Sequence, residues 1–352
     1  MRHIRFPTSD LRPPASERRV LLGHGSGGKL SADLVEELIV PRFSNPALDA
    51  LGDSAVVAIP EGGGRLAITT DSYVVDPIFF PGGDIGDLAV NGTVNDLAMA
   101  GADPLYLTLG MVIEEGLLFS DLERVLDSVK RSADSAGVKV VAGDTKVVPR
   151  GKADKLFLNT SGVGLVPAGF VSARENIGPG DAVILSGTIG DHGVAVMSKR
   201  AGLGFATEVR SDTAALHRMA AALRRLGGAL RFMRDPTRGG LAATLCEACR
   251  GRPCGVEIGE TVIPIDPGVR AACDLLGLDP LHVANEGKMV AFVAPERADE
   301  ALAAMRGFVE GNDAAVIGRA VETRPGMVVL LTRAGGKRIV DLPAGEILPR
   351  IC

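Results

Sequence analysis

The chain has 352 residues, a formal charge of −5, and 46% hydrophobic against 23% charged side chains, the balance of a globular protein with no basic footprint for nucleic acid. No Trp and only two Tyr leave little for base-stacking platforms or aromatic cages. No stretch approaches the roughly 20 apolar residues of a membrane helix, the opening "MRHIRFPTSDLRPP" lacks a signal-peptide core, and five scattered cysteines make no disulfide framework, so a cytoplasmic protein without a membrane partner is expected.

Length favours two domains with a cleft between them. In chain order, "RRVLLGHGSGGKLSADLVEELIVPRF" reads as a short strand, a glycine loop and a helix capped by Ser31. Alternating apolar residues predict strands near 55–59, 65–70 and 106–113, and helical spacing covers 84–101. Residues 120–136 form an amphipathic pattern with Leu122, Val125, Leu126 and Val129 on one face, and strands follow at 138–142 and 156–166. The turn-forming stretch "VPAGFVSARENIGPGD" sets a boundary near residue 170. Beyond it, helices are expected near 192–201, 213–226 and 239–249, and strands near 182–186, 289–294 and 327–331. The ending "AGGKRIVDLPAGEILPRIC" has little periodicity; extended at about 3.3 Å per residue it would be an exposed tail reaching tens of ångströms. The expected class is α+β in two domains, residues 1–169 and 170–334, followed by a tail over 335–352.

The loop "GHGSGGK", with His24, Gly25, Gly27, Gly28 and Lys29, fits both a dinucleotide fingerprint and a P-loop imperfectly, because Leu30 stands where a P-loop needs Ser or Thr for magnesium. Its backbone donors suit an anion, and a plain turn suits it equally. Asp53, Asp71, Asp96 and Asp144 each follow an apolar run beside small residues. Buried carboxylates need a compensating cation, and four of them favour magnesium held together with nucleotide phosphates over separate caps. "TIGDHG" adds Asp191 and His192, while "RDPTRGG" sets Arg234, Asp235, Thr237 and Arg238 before a helix start, as a phosphate site or an N-cap would. "ANEGK" contributes Glu286 and Lys288. Cys246 and Cys249 lie in an apolar helical pattern, and their spacing to Cys254 and Cys273 matches no compact zinc module.

The motifs "GHGSGGK", "LGDSA", "ITTDSYVVDPIFFPGGDIG", "NGTVNDLAMAGADP", "AGDTKVV", "RDPTRGG" and "ANEGK", in this order and with the ending "LPRIC", make the chain resemble the HypE family of hydrogenase maturation proteins. That family sits in the superfamily of aminoimidazole ribonucleotide synthetase, selenophosphate synthetase and thiamine-phosphate kinase. The resemblance implies a homodimer whose N-terminal sheets pair into a shared barrel, with ATP and Mg²⁺ near the interface and an α/β C-terminal domain outside. It implies nucleotide contacts at the glycine loop, Asn95, Asp191, Asp235, Thr237 and Arg238. It also implies a reaction in which a HypF-type carbamoyltransferase loads the sulfur of Cys352, the chain dehydrates the group to a thiocyanate with ATP, and HypC- and HypD-type proteins receive the cyanide on iron. Glu286 or Lys146 would be the base. A carbonyl oxygen leaves poorly until it is phosphorylated, which is why such a dehydration needs ATP. A terminal thiol can thread into a narrow site, in its own subunit or the mate's, and Pro349 would limit the entropy lost on docking. The alternatives are a relative acting on a free small molecule, which would not need Cys352, and a non-catalytic thiol carrier, which would not need Lys146 or Glu286.

Overall fold

The computed structural model describes residues 19–21, 33–45, 65–202, 209–341 and 351–352. The expected strand at 55–59, the Ser31 cap, the whole glycine loop (His24, Gly25, Gly27, Gly28, Lys29) and Asp53 lie outside them.

The N-terminal domain is built on a sheet in the order β1 (Arg65–Tyr73), β6 (Leu156–Val166), β4 (Asp103–Glu114), β5 (Lys139–Val148), with a short helix α1 (Val40–Phe43) before β1 and a small hairpin, β2 (Phe79–Phe80) and β3 (Gly83–Asp84), after it. Pairing is antiparallel except between β4 and β5. Helices α2 (Ile85–Met99) and α3 (Phe119–Ala136) cover one face. Asp84 starts α2 by accepting from the backbone N–H of Gly86 at 2.8 Å, a cap of the usual kind. The predicted stripe of α3 is its buried face: Leu122, Val125, Leu126 and Val129 are fully enclosed, each worth about 1.5–3 kcal/mol of burial. The opposite sheet face is open, with Leu66 47% and Ile68 74% exposed on the edge strand.

The C-terminal domain carries the sheet β13-β12-β9-β11-β7-β10-β8. In chain order its elements are β7 (Ala182–Leu185), α4 (Asp191–Ala201), α5 (His217–Arg224), β8 (Leu230–Arg234), α6 (Gly240–Cys249), β9 (Gly255–Gly259), α7 (Pro267–Leu276), β10 (Val290–Val293), α8 (Ala298–Arg306), β11 (Ala315–Val321), β12 (Val328–Leu331) and β13 (Lys337–Val340). Alternate residues divide the two faces. Val183, Leu185, Val290 and Phe292 pack with Leu241 and Leu245 of α6, whereas Ile184, Ala291 and Val293 pack with Met219 and Leu223 of α5 and Met305 of α8.

Several sequence expectations change. The helix expected over 213–226 is confined to His217–Arg224, because the preceding residues are held as a strap, Thr213 N by Ser211 Oγ and Leu216 N by Asn95 Oδ1. Strands β8, β9 and β11 and helices α7 and α8 were not foreseen. The tail expected from 335 starts later, since Lys337–Val340 pairs with β12 in the register Val328↔Val340. Its end is not exposed: Ile351 and Cys352 are 2% and 9% exposed and belong to the core that joins β1, α2, α4 and the loop before β10.

Candidate active site

Four segments converge where the domains meet. On β1, Thr69 and Asp71 share the face turned to α2, and the Thr69 hydroxyl donates to Asp96 Oδ2 of α2 at 2.8 Å. From the second domain, residues 235–239 run from β8 into α6. Gly240 lies at φ +62°, and a Cβ there would stand 2.6 Å from the Leu281 carbonyl oxygen, so the second glycine of "TRGG" lets the helix start against the loop that carries Glu286. Asn285 fixes that loop. It is fully buried, its Oδ1 accepts from Gly190 N at 2.7 Å, and its Nδ2 donates to Pro236 O at 2.8 Å. One amide thereby ties "TIGDHG", "RDPTRGG" and "ANEGK" together.

Glu286 points into this junction, 3% exposed, and its Oε1 has no hydrogen-bond partner among the described residues. Burial, then the charges of Asp235, Asp212 and Asp71, push its carboxyl well above the ordinary range, with Arg238 opposing. Burial and neighbouring Asp96 raise Asp235 to about 7. Asp96 is raised by burial and by Asp71. The Cys352 thiol faces Glu286 and is held protonated by burial and by that carboxyl. Arg238 reaches Asp71 Oδ1 at 3.9 Å, while Arg234 is turned to Glu247 at 2.8 Å. The acids outnumber the cations facing them, the imbalance that a phosphate-bound divalent ion corrects. Hard carboxylate oxygens at Asp71, Asp96 and Asp235 fit magnesium chemically, although no group of three or more His, Cys, Asp or Glu among the described residues is already set at ligating geometry.

Asp212, which the sequence reading passed over, supports Glu286. Its Oδ1 accepts from Glu286 N at 3.1 Å, and its Oδ2 lies 3.5 Å from Lys288 Nζ, with the Asp212 side chain buried and that of Lys288 largely so. Gly287 permits this approach: a Cβ on it would sit 1.7 Å from the Asp212 carbonyl oxygen. Gly287→Ala must therefore displace the Asp212 backbone. A loss of about 1–3 kcal/mol in denaturant unfolding is expected, as for other overpacking changes, with a parallel loss of activity.

The other expected site residues fall in three places. Asp191, 9% exposed, accepts from Thr188 and is electrostatically coupled to Asp212 and Lys288, so it adjoins Glu286's support. Thr237 leads into α6, its carbonyl accepting from Gly240 N at 2.9 Å. Asn95 ties the two domains together. It is 1% exposed, donates to Ala214 O at 2.9 Å and Glu286 O at 3.3 Å, and accepts from Leu216 N at 2.8 Å.

Asp144 and Lys146 do not join the cluster within this chain. They pair with each other at 2.7 Å on β5, 69% and 62% exposed. In the sheet, Asp144 is in register with Gly110, Asn159 and Ser72, whereas Asp71 aligns with Thr160, which bonds to α2. Asp144 and Lys146 thus occupy the open face and Asp71 the helix face, with three inter-strand spacings of about 4.8 Å between β5 and β1. Cys249, Cys254 and Cys273 are buried free thiols and Cys246 is partly buried; burial pushes Cys246 and Cys273 to about 11 and Cys249 to about 12.

Residues 51–166 match the family of AIR synthase related protein, N-terminal domain, and residues 178–330 its C-terminal domain. The carbamoyl dehydratase HypE of Bradyrhizobium diazoefficiens is 54% identical over 332 residues, covering 94% of this chain and 95% of that protein. A crystal structure of hydrogenase maturation protein HypE in complex with ATP is similar at a TM-score of 0.90 and 47% identity, covering 94% of this chain and 99% of that one. HypE in a crystal structure of a HypE–HypF complex is similar at a TM-score of 0.77 and 45% identity, covering 88% and 99%. With both domains matched and the likeness running nearly end to end, the chain belongs to the HypE family of carbamoyl dehydratases.

Proposed function

We propose that this chain dehydrates an S-carbamoyl group carried on Cys352 to a thiocyanate at the expense of ATP, supplying the cyanide ligand of a nickel–iron hydrogenase. The observation that carries the reading is the seating of Cys352 beside the buried carboxyl of Glu286, with Asp71 and Arg238 close by. ATP use is supported by the likeness to a HypE–ATP complex, and a HypF-type carbamoyl donor by the likeness to HypE bound to HypF. HypC- and HypD-type proteins are the proposed cyanide acceptors, since a thiocyanate must hand its cyanide to a metal.

ATP supplies the phosphoryl group that converts the carbamoyl oxygen into a leaving phosphate, and Mg²⁺, held by Asp71, Asp96 and Asp235 with Asp53 as a further candidate, would spread its charge. The chain's own residues do the rest. The cleft excludes water from Cys352, which is 9% exposed, and so limits hydrolysis of the thioester-like bond. Arg238 faces the reacting end and stabilises developing negative charge. The nitrogen of the loaded group would lie against Glu286, whose raised pKa suits a base that must take a proton from a weakly acidic N–H. Two protons and one oxygen leave as water equivalents, with the oxygen carried off on phosphate.

A homodimer is part of the proposal and is supported by the open sheet face bearing Leu66 and Ile68, since a second copy would cover apolar area that water otherwise meets. The reading is tested by the mass of the C-terminal peptide after loading by the carbamoyl donor. Loss of one water from the Cys352 adduct only when magnesium and ATP are present is expected. An adduct that persists through ATP hydrolysis would reduce the tail to a carrier, and turnover of a free small molecule by a Cys352→Ala chain would return the kinase-like alternative.

A further inference from the structure

The tail end is held by more than apolar packing. His192, at the start of α4, is fully buried. Its Nε2 lies 2.8 Å from the Ile351 carbonyl oxygen, and its Nδ1 lies 2.8 Å from Ser211 Oγ. A carbonyl only accepts, so Nε2 bears the hydrogen and Nδ1 accepts from the Ser211 hydroxyl. Ser211 in turn accepts from Thr213 N at 3.2 Å, which leaves its hydroxyl hydrogen for the ring and fixes the tautomer. The edge-on contact with Phe80, ring centroids 5.4 Å apart at 90°, sets the plane of the imidazole. Val74 N supplies a second bond, to a main-chain carboxylate oxygen of Cys352 at 3.3 Å. The two bonds fall on consecutive residues and fix the direction in which Cys352 projects toward Glu286.

We propose that His192 is a tail-positioning residue: its Nε2–H grips the peptide unit joining Ile351 to Cys352 and sets how often the cysteine occupies the site rather than solvent. The ring bonds to the Ile351 carbonyl and to Ser211 and acts through the backbone. Ser211 and Asp212 are consecutive, so the strap that orients His192 also carries the carboxylate bonded to Glu286 N. Tail seating and base placement share one short segment. The inference deepens the site of the proposed dehydration, but its test needs no ATP turnover.

Two replacements separate the ring's two nitrogens. In His192→Gln the amide nitrogen reaches the place of Nε2 and can still donate to the Ile351 carbonyl. In His192→Asn the shorter amide replaces Nδ1, keeps Ser211 company and abandons the tail. The full-length dimer is treated with iodoacetamide, and alkylation of Cys352 is followed by mass of the C-terminal peptide, alongside thermal unfolding. Alkylation tracks the undocked population, so His192→Asn should speed it about tenfold, the effect of one buried hydrogen bond. His192→Gln should stay close to the parent rate. Ser211→Ala, which frees the tautomer but retains Nε2, should fall between and serves if His192→Asn does not fold. Parent-like alkylation in His192→Asn or Ser211→Ala, or equal acceleration in the Asn and Gln variants, would overturn the assignment. Because carbamoyl chemistry is absent from the assay, that failure is distinct from failure of the dehydration.

Discussion

Glu286→Gln is expected to slow dehydration of the loaded Cys352 by about 10²–10⁴-fold, the contribution of a positioned general base, while leaving ATP binding and carbamoyl loading nearly intact. Glutamine matches the side chain in shape and removes only the capacity to take the proton. The measurement is single-turnover loss of water from the carbamoylated tail peptide. A loss under tenfold would move the base elsewhere. Stability should respond in the opposite sense. Folding raises the Glu286 pKa above its unfolded value, so between those values the folded chain binds more protons, and this group's contribution declines as pH rises. Asp235, at about 7, acts in the same direction. The Gln variant should therefore unfold at an equal or higher temperature than the parent at pH 8, with the difference narrowing toward pH 4. A variant both inactive and less stable at pH 8 would point to a structural role for the carboxylate.

What was legible in the chain was what local pattern encodes. The α3 stripe and β6 have unbroken periodicity, and their limits agree with the structure to within a residue. Strand β11 escaped because Gly318 and Arg319 interrupt its apolar run, and β13 because "KRIV" exposes all but its last residue. At the domain junction the structure brings together Glu286, Asp71, Asp96, Asp235 and Arg238, which stood out in the sequence as acids and cations placed after apolar runs beside glycines. Asp212 and Ser211 were missed because "RSDTAALHR" reads as a helix entrance, and their work is done by contacts to residues 74 and 19 positions away. The signal that could have exposed them was Gly287, whose missing side chain marks a close backbone approach, but the sequence does not say by what. The domain-joining bonds of Asn95 were not legible for the complementary reason. Polar residues in an all-round buried helix such as α2 bind nucleotide or neighbouring backbone equally well until the neighbours are known.

A catalytic part for Lys146 would require a second copy. Within one chain it lies on the open sheet face, on the strand at the other edge from Asp71, paired with Asp144 in solvent. Exposed pairs of this kind contribute little to stability, so Lys146→Ala should leave the unfolding temperature nearly unchanged. If a dimer brings β5 of one copy to the domain junction of the other, the partner's Lys146 would join the site around Glu286. Lys146→Ala homodimers should then be slow, and Glu286→Gln homodimers slow for a separate reason. Mixing the two after subunit exchange discriminates. Each mixed dimer would hold one site with both functional groups and one with neither, so activity should return to about a quarter of the parent when half the dimers are mixed, as two-fold symmetry requires. Were Lys146 to serve its own chain's site, every site in the mixture would lack one group and no activity would return. Full activity of the Lys146→Ala homodimer would remove the lysine from the mechanism and leave Glu286 as the sole base.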